Sequence, residues 1–130
     1  YLAQLKRQWL PYYAETLRQQ RLQMVRFYCL NNLHHIPGYI DRGLYFQAFD
    51  RLYNAYQEFL QALFITRRTY PIAYNKWIQE QIVDILHLPD LYRQLSHLFE
   101  IKQFESRELL GKAQEVEQLL ERYAPQVVVE

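Results

Sequence analysis

The sequence predicts an all-α fold, an up-and-down bundle of about five helices, and three observations carry that prediction. Helix breakers are scarce, with 3 Gly and 5 Pro in 130 residues, while Leu, Gln, Glu, Arg and Ala, which lose least on entering a helix, are plentiful. Apolar residues recur at steps of three and four, the period of one helix face, and no run alternates as a strand would. Half of the residues are hydrophobic and 22% are charged, enough to build a core and too apolar for disorder.

The first helix is expected from Pro11, or from just before it, to about Leu33, since Pro is tolerated at a first helical position. Arg18, Arg21 and Arg26 give it a basic face. His34 to Ile40 reads as a connection because Pro37-Gly38 is a turn signal, and Asp41 then caps the second helix. That helix, Arg42 to about Thr66, carries the widest apolar surface: Tyr45, Phe49, Leu52, Tyr56, Phe59 and Leu63, with Phe46, Tyr53, Leu60 and Phe64 alongside. Gln47, Arg51, Asn54, Glu58 and Gln61 share another face, read as solvated. A third helix fits Tyr74 to His87 and buries Trp77, Ile78, Ile82, Ile85 and Leu86. Leu88-Pro89-Asp90 restarts the chain into a fourth helix with Leu91, Leu95, Leu98 and Phe99. Ser106 caps a fifth, in which Leu109, Ala113, Val116, Leu120 and Tyr123 face inward. Short connections make neighbouring helices antiparallel. Residues 1–124 are thus read as one bundle domain and 125–130 as a tail.

The net charge of +1 is too small to attract nucleic acid by itself, but it is unevenly spread. Residues 1–68 hold nine Lys/Arg against four Asp/Glu, and residues 69–130 hold six against ten. The basic front half suits an anion such as phosphate; equally, the two halves suit each other as oppositely charged faces. Cys29 is the sole cysteine, so no internal disulfide forms and a reducing cytoplasm is the expected setting. Its apolar neighbours Phe27, Tyr28 and Leu30 point to a buried, inert thiol. No apolar run reaches spanning length, so no membrane partner is expected. The opening Tyr1-Leu2 already continues a helical pattern, and the chain reads as a fragment with more protein upstream.

Most motifs that carry chemistry are missing. Gly38, Gly43 and Gly111 stand apart, so there is no Gly-rich phosphate loop, and one cysteine excludes a zinc site built on Cys pairs. Glu80, Asp84 and His87 share one face of an ideal helix, but three polar residues at that spacing are common on solvated faces, and no metal is assigned. The Arg/His pair of helical-bundle ribonucleases is approached only by Arg93 and His97, with three residues between them where the pattern needs four to six.

Two segments are not explained by composition: Asp41-Arg42-Gly43-Leu44-Tyr45-Phe46, and Leu63-Phe64-Ile65-Thr66-Arg67-Arg68-Thr69-Tyr70-Pro71 followed by Asn75-Lys76-Trp77. In order and spacing they resemble the helical domain that follows the catalytic domain of bacterial nucleotidyltransferases, related to the helical half of aminoglycoside nucleotidyltransferases. The resemblance covers most of residues 22–77 and extends weakly into the later helices. Leu44 departs from it, standing where the family usually has Asp, so any polar role there is lost.

The resemblance implies an accessory domain that walls a cleft over nucleotide and acceptor without catalytic power of its own. Arg42, Arg67, Arg68 and Lys76 are then candidate anion contacts, because guanidinium and ammonium groups pair with phosphate oxygens. Tyr45, Tyr70 and Trp77 are candidates to stack on a base or sugar. Lys76 beside Trp77 is the leading pair. Against this, Tyr45 and Trp77 fit the core stripes, and Arg67 and Arg68 fit a helix C-terminus. The Gly-Ser motif and paired aspartates of nucleotidyl transfer are absent from the chain. Mg²⁺, a nucleoside triphosphate and a small-molecule or protein acceptor are therefore expected of a full-length enzyme, held with an upstream catalytic domain. The competing reading is an interaction module, a Tyr-rich bundle that pairs with a partner subunit or with itself.

Overall fold

The computed structural model describes residues 2–69 and 77–126, with side chains from residue 15 onward. Among them every regular element is helical: α1 (Leu2–Asp41), α2 (Tyr45–Thr66), a π-helical turn (Glu80–Ile85), α3 (Pro89–Leu98) and α4 (Glu108–Tyr123). The all-α bundle expected from the sequence is the fold observed. No described helix is long and apolar enough to cross a membrane.

Helices α1 and α2 form an antiparallel hairpin. Arg18 reaches the carbonyl of Ile65, Cys29 that of Ala55, and Arg51 reaches Asn32, so position on one helix rises as it falls on the other. On α1 the buried stripe is Leu22, Val25, Cys29, Leu33, Ile36 and Ile40, at steps of three and four. The facing side of α2 buries Ala48, Ala55 and Ala62, seven residues apart, between Leu52, Phe59 and Leu63. Three alanines on one seam let the helix axes come close while the larger residues fill the flanks. α4 closes the core over both helices with Leu109, Ala113, Val116 and Leu120.

The first departure from expectation is at Pro37-Gly38, which does not end the helix. α1 runs through both residues to Asp41, and Pro11 likewise lies inside it. Interior Pro and Gly together cost about 4 kcal/mol. Ile36 and Ile40, on either side, are fully buried, and burying two such side chains is worth about 3–6 kcal/mol. The core contacts therefore outweigh the breakers, both of which face solvent. The helix ends one turn later. Leu44 N–H donates to Tyr39 O at 2.8 Å and Gly43 N–H to Ile40 O at 3.0 Å, with Gly43 at φ +73°, the paired bonds of a Schellman turn. Asp41 consequently does not cap the second helix; it is the last residue of α1, and its carboxylate lies 3.5 Å from Arg107.

The third helix also differs. Among its described residues the regular element is Glu80–Ile85, and it is wound wide, with Leu86 N–H bonding back to Gln81 O and Leu88 N–H to Ile82 O. Extra residues per turn rotate the side chains away from the α spacing. Ile82 and Leu86 are buried as expected, and Gln81 is buried with them, whereas Trp77 and Ile85 are exposed. The same winding takes Glu80, Asp84 and His87 off a common face, and among the described residues no three His, Cys, Asp or Glu side chains converge on a metal position.

The rest follows the sequence more closely. Leu91, Leu95 and Leu98 of α3 are buried. Ser106 Oγ accepts the N–H of Glu108 at 3.1 Å, while the Glu108 carboxylate accepts that of Lys102 at 2.7 Å, so the start of α4 is tied by two side chains. Phe46 and Tyr53 lie on the flank of α2 instead of in its core, where Phe46 packs on Phe104 and Tyr53 on Phe99.

Candidate functional site

α2 ends in a second Schellman turn, which carries Arg67 and Arg68 of the expected site. Thr69 N–H donates to Phe64 O and Arg68 N–H to Ile65 O, at 3.0 and 3.1 Å. The left-handed position is held by Arg68, at φ +53°, with no glycine to relieve it. A non-glycine residue there costs about 1–2 kcal/mol. Glu15 on α1 faces this turn. Its carboxylate is 3.0 Å from Arg68 and takes two bonds from Arg18, at 2.6 and 3.0 Å. The Arg18 hydrogen bonds hold the Glu15 carboxyl down at about 2; burial opposes them, and the charges of Arg18 and Arg68 and a hydrogen bond from Gln19 add to the lowering. Two arginines thus meet one carboxylate, and Arg67, exposed, has no ion-pair partner among the described residues.

Trp77 is the second feature. Its indole is 59% exposed and its backbone sits at φ +58°. A bulky residue is a rare occupant of that conformation, and among the described residues Trp77 O accepts Gln81 N–H at the entry to the π-helical turn. Lys76 and Tyr70 lie outside the described residues.

The remaining two expected residues are elsewhere. Arg42 and Tyr45 stand at the opposite end of α2, and 22 residues at 1.5 Å each put about 33 Å between the ends. Arg42 is exposed beside Gly43, and Tyr45 packs against the core, as its place in the apolar stripe allowed. One ligand of nucleotide size does not span these two ends, so Arg42 and Tyr45 do not share a site with Arg67 and Arg68.

Sequence reasoning missed two polar features because they depend on which face each helix turns inward. Arg26, read as part of a basic surface, is only 6% exposed and reaches across to the end of α4. Its guanidinium donates to Leu120 O at 3.4 Å and Ala124 O at 2.5 Å and pairs with Glu121 at 2.6 Å, closing that helix in place of a glycine. Glu58 and Arg51, read as solvated, are half-buried against α1 and meet through Asn32, which donates to Glu58 Oε1 at 2.8 Å and accepts from Arg51 at 2.9 Å. Burial pushes the Glu58 carboxyl up, with Asn32 and Arg51 pulling the other way. Next to this network, Cys29 donates its thiol to Ala55 O at 3.3 Å, and burial pushes it up to about 12, leaving it inert as expected. An exposed apolar stripe, Leu17, Met24, Phe27 and Tyr28, runs along the outer side of α1. No family model, curated protein or solved structure matches the chain.

Proposed function

We propose that this bundle is the substrate-side helical domain of a nucleotidyltransferase, working beside a separate catalytic domain and binding the nucleotide or its acceptor at the Arg67–Trp77 end. The observation that carries the reading is Trp77. Helical period would bury it, yet it stands exposed on a strained backbone directly after Lys76. Side chains held in costly conformations cluster at ligand sites, where the strain buys a fixed orientation. An exposed indole offers a stacking surface for a base or sugar. Arg67 and Lys76 supply charge for a phosphate, with Arg68 and Tyr70 in the same segment. On this reading Mg²⁺ and the chemistry of transfer belong to the catalytic partner.

The test is tryptophan fluorescence. Trp9 is the other indole, so the Trp9→Phe protein reports on Trp77 alone. Saturable quenching by Mg²⁺-ATP or another nucleoside triphosphate is expected, weakened by Lys76→Ala and by Arg67→Ala. A flat titration to millimolar nucleotide would falsify a nucleotide site on this domain.

One observation favours a second reading, an interaction module. Phe27 and Tyr28 are 66% and 51% exposed with their rings 5.8 Å apart, and Leu17 and Met24 extend the patch along α1. Contiguous apolar surface of this kind marks contact with another protein. The two readings coexist if that protein is the catalytic domain or subunit. Sedimentation of the chain alone separates them from self-association: a monomer leaves the stripe to a different partner, a dimer assigns it to a second copy.

A further inference from the structure

We propose that the cleft between α3 and α4 binds a small phosphate monoester, at a site separate from the Arg67–Trp77 end. The cleft has a volume of about 380 Å³, within the range of metabolite pockets. α3 presents Arg93, Gln94 and His97, and α4 presents Glu115, Gln118 and Arg122. Arg93 and His97 are one turn apart on α3, and Glu115, Gln118 and Arg122 follow at steps of three and four on α4, so two polar helix faces look at each other across the gap.

Three of these side chains have unused hydrogen-bonding capacity. Gln94 and Gln118 make no hydrogen bond, and Arg122 makes no ion pair, to any described residue; the Arg122 guanidinium lies over the ring of Tyr123 at 5.2 Å. Arg93 and His97 are engaged at the rim, with Asp90 and with Glu100 respectively, but both pairs are exposed. Exposed pairs of this kind are worth little and yield to a stronger anion. Lys112 fixes the gap by donating to His97 O at 2.9 Å, which ties the last turn of α3 to α4.

Each helix brings one forked guanidinium and one carboxamide to the cleft, a donor set that suits a tetrahedral anion with several oxygens better than a single carboxylate. Glu115 on the same wall repels a bare anion and accepts a hydrogen bond, so the ligand also carries a donor such as an amine or hydroxyl. O-phosphoethanolamine has both groups and is the probe; inorganic phosphate is its comparison.

The experiment is an NMR titration of the whole chain, following the side-chain amides of Gln94 and Gln118 and the Nε–H of Arg122. Saturable shifts of all three are expected with O-phosphoethanolamine, and weaker ones with inorganic phosphate. Arg122→Gln should weaken the affinity at least tenfold, the loss of a charge-assisted bond on the order of 1.5–3 kcal/mol. Arg93→Gln serves as the second variant should the first unfold the chain. Glu115→Gln should remove the preference over inorganic phosphate. Absence of shifts at about 10 mM probe, well above a millimolar dissociation constant, overturns the proposal. Equal affinity in the arginine variants does so too. The Trp77 indole signal stays still in this titration if the two sites are separate, so either can fail alone.

Discussion

Helices α1 and α2 end in the same pair of backbone bonds, yet the two ends are built from different residues. At one end Gly43 takes φ +73° without a side chain to strain. At the other Arg68 takes φ +53° and keeps a long cationic side chain there. Glycine would serve the turn better at both ends, so the turn alone does not account for arginine at the second. The end that keeps the strained arginine also carries Arg67 and leads toward Lys76 and Trp77. A third helix end, that of α4, uses neither device and is closed from outside by Arg26.

Substitutions at these ends should separate in size and sign. Arg26→Ala removes three interactions from a buried helix end at once, and chemical denaturation should show a loss of about 2–3 kcal/mol. Gly43→Ala places a Cβ in the left-handed region where space is open around it, so the loss is conformational only, about 1 kcal/mol. Arg68→Gly has the opposite sign: stability is held or raised by up to about 1 kcal/mol, with nucleotide affinity lowered if the proposed site is real. A clear loss of stability in Arg68→Gly would mean that the Glu15 pair outweighs the strain, and the contrast between the two ends would lose its meaning.

The smallest effect is a pH dependence confined to the arginine end. The Glu15 carboxyl sits at about 2, below its ordinary value of 4.5. A depressed acid stabilises the fold above its unfolded value, and that stabilisation is lost as pH falls from about 4.5 toward 2. Thermal melts across that window should show a shallower acid decline in Glu15→Gln than in the parent, with no change near neutrality beyond the constant cost of losing the pair. Glu58 runs the other way. Burial raises its carboxyl, so its contribution is fully present at low pH and fades as pH rises through the raised value.

The helical class, the burial of Leu52, Phe59 and Leu63 on α2, the leucines of α3 and the inward face of α4 were legible in the sequence because periodicity reports burial directly. The end of α1 was not, since Pro37-Gly38 and Gly43 both read as stops, and only the burial of Ile36 and Ile40 decides between them. Trp77 was misjudged for a related reason: its place in a period assumes α winding, and the π-helical turn breaks the register just after it. Of the seven candidate site residues, spacing along the chain indicated that they belong to α2 and its flanks. It held no information on which end of a long helix each one faces, and that separates Arg42 and Tyr45 from Arg67 and Arg68.

Cys29 has a practical consequence. It is the only thiol in the chain, it sits at the centre of the α1–α2 seam, and it is both enclosed and protonated. An alkylating reagent therefore reaches it only when the hairpin parts, and the rate of labelling measures how often that happens. The molecule carries its own clock for the opening of its core, with no probe to be engineered in.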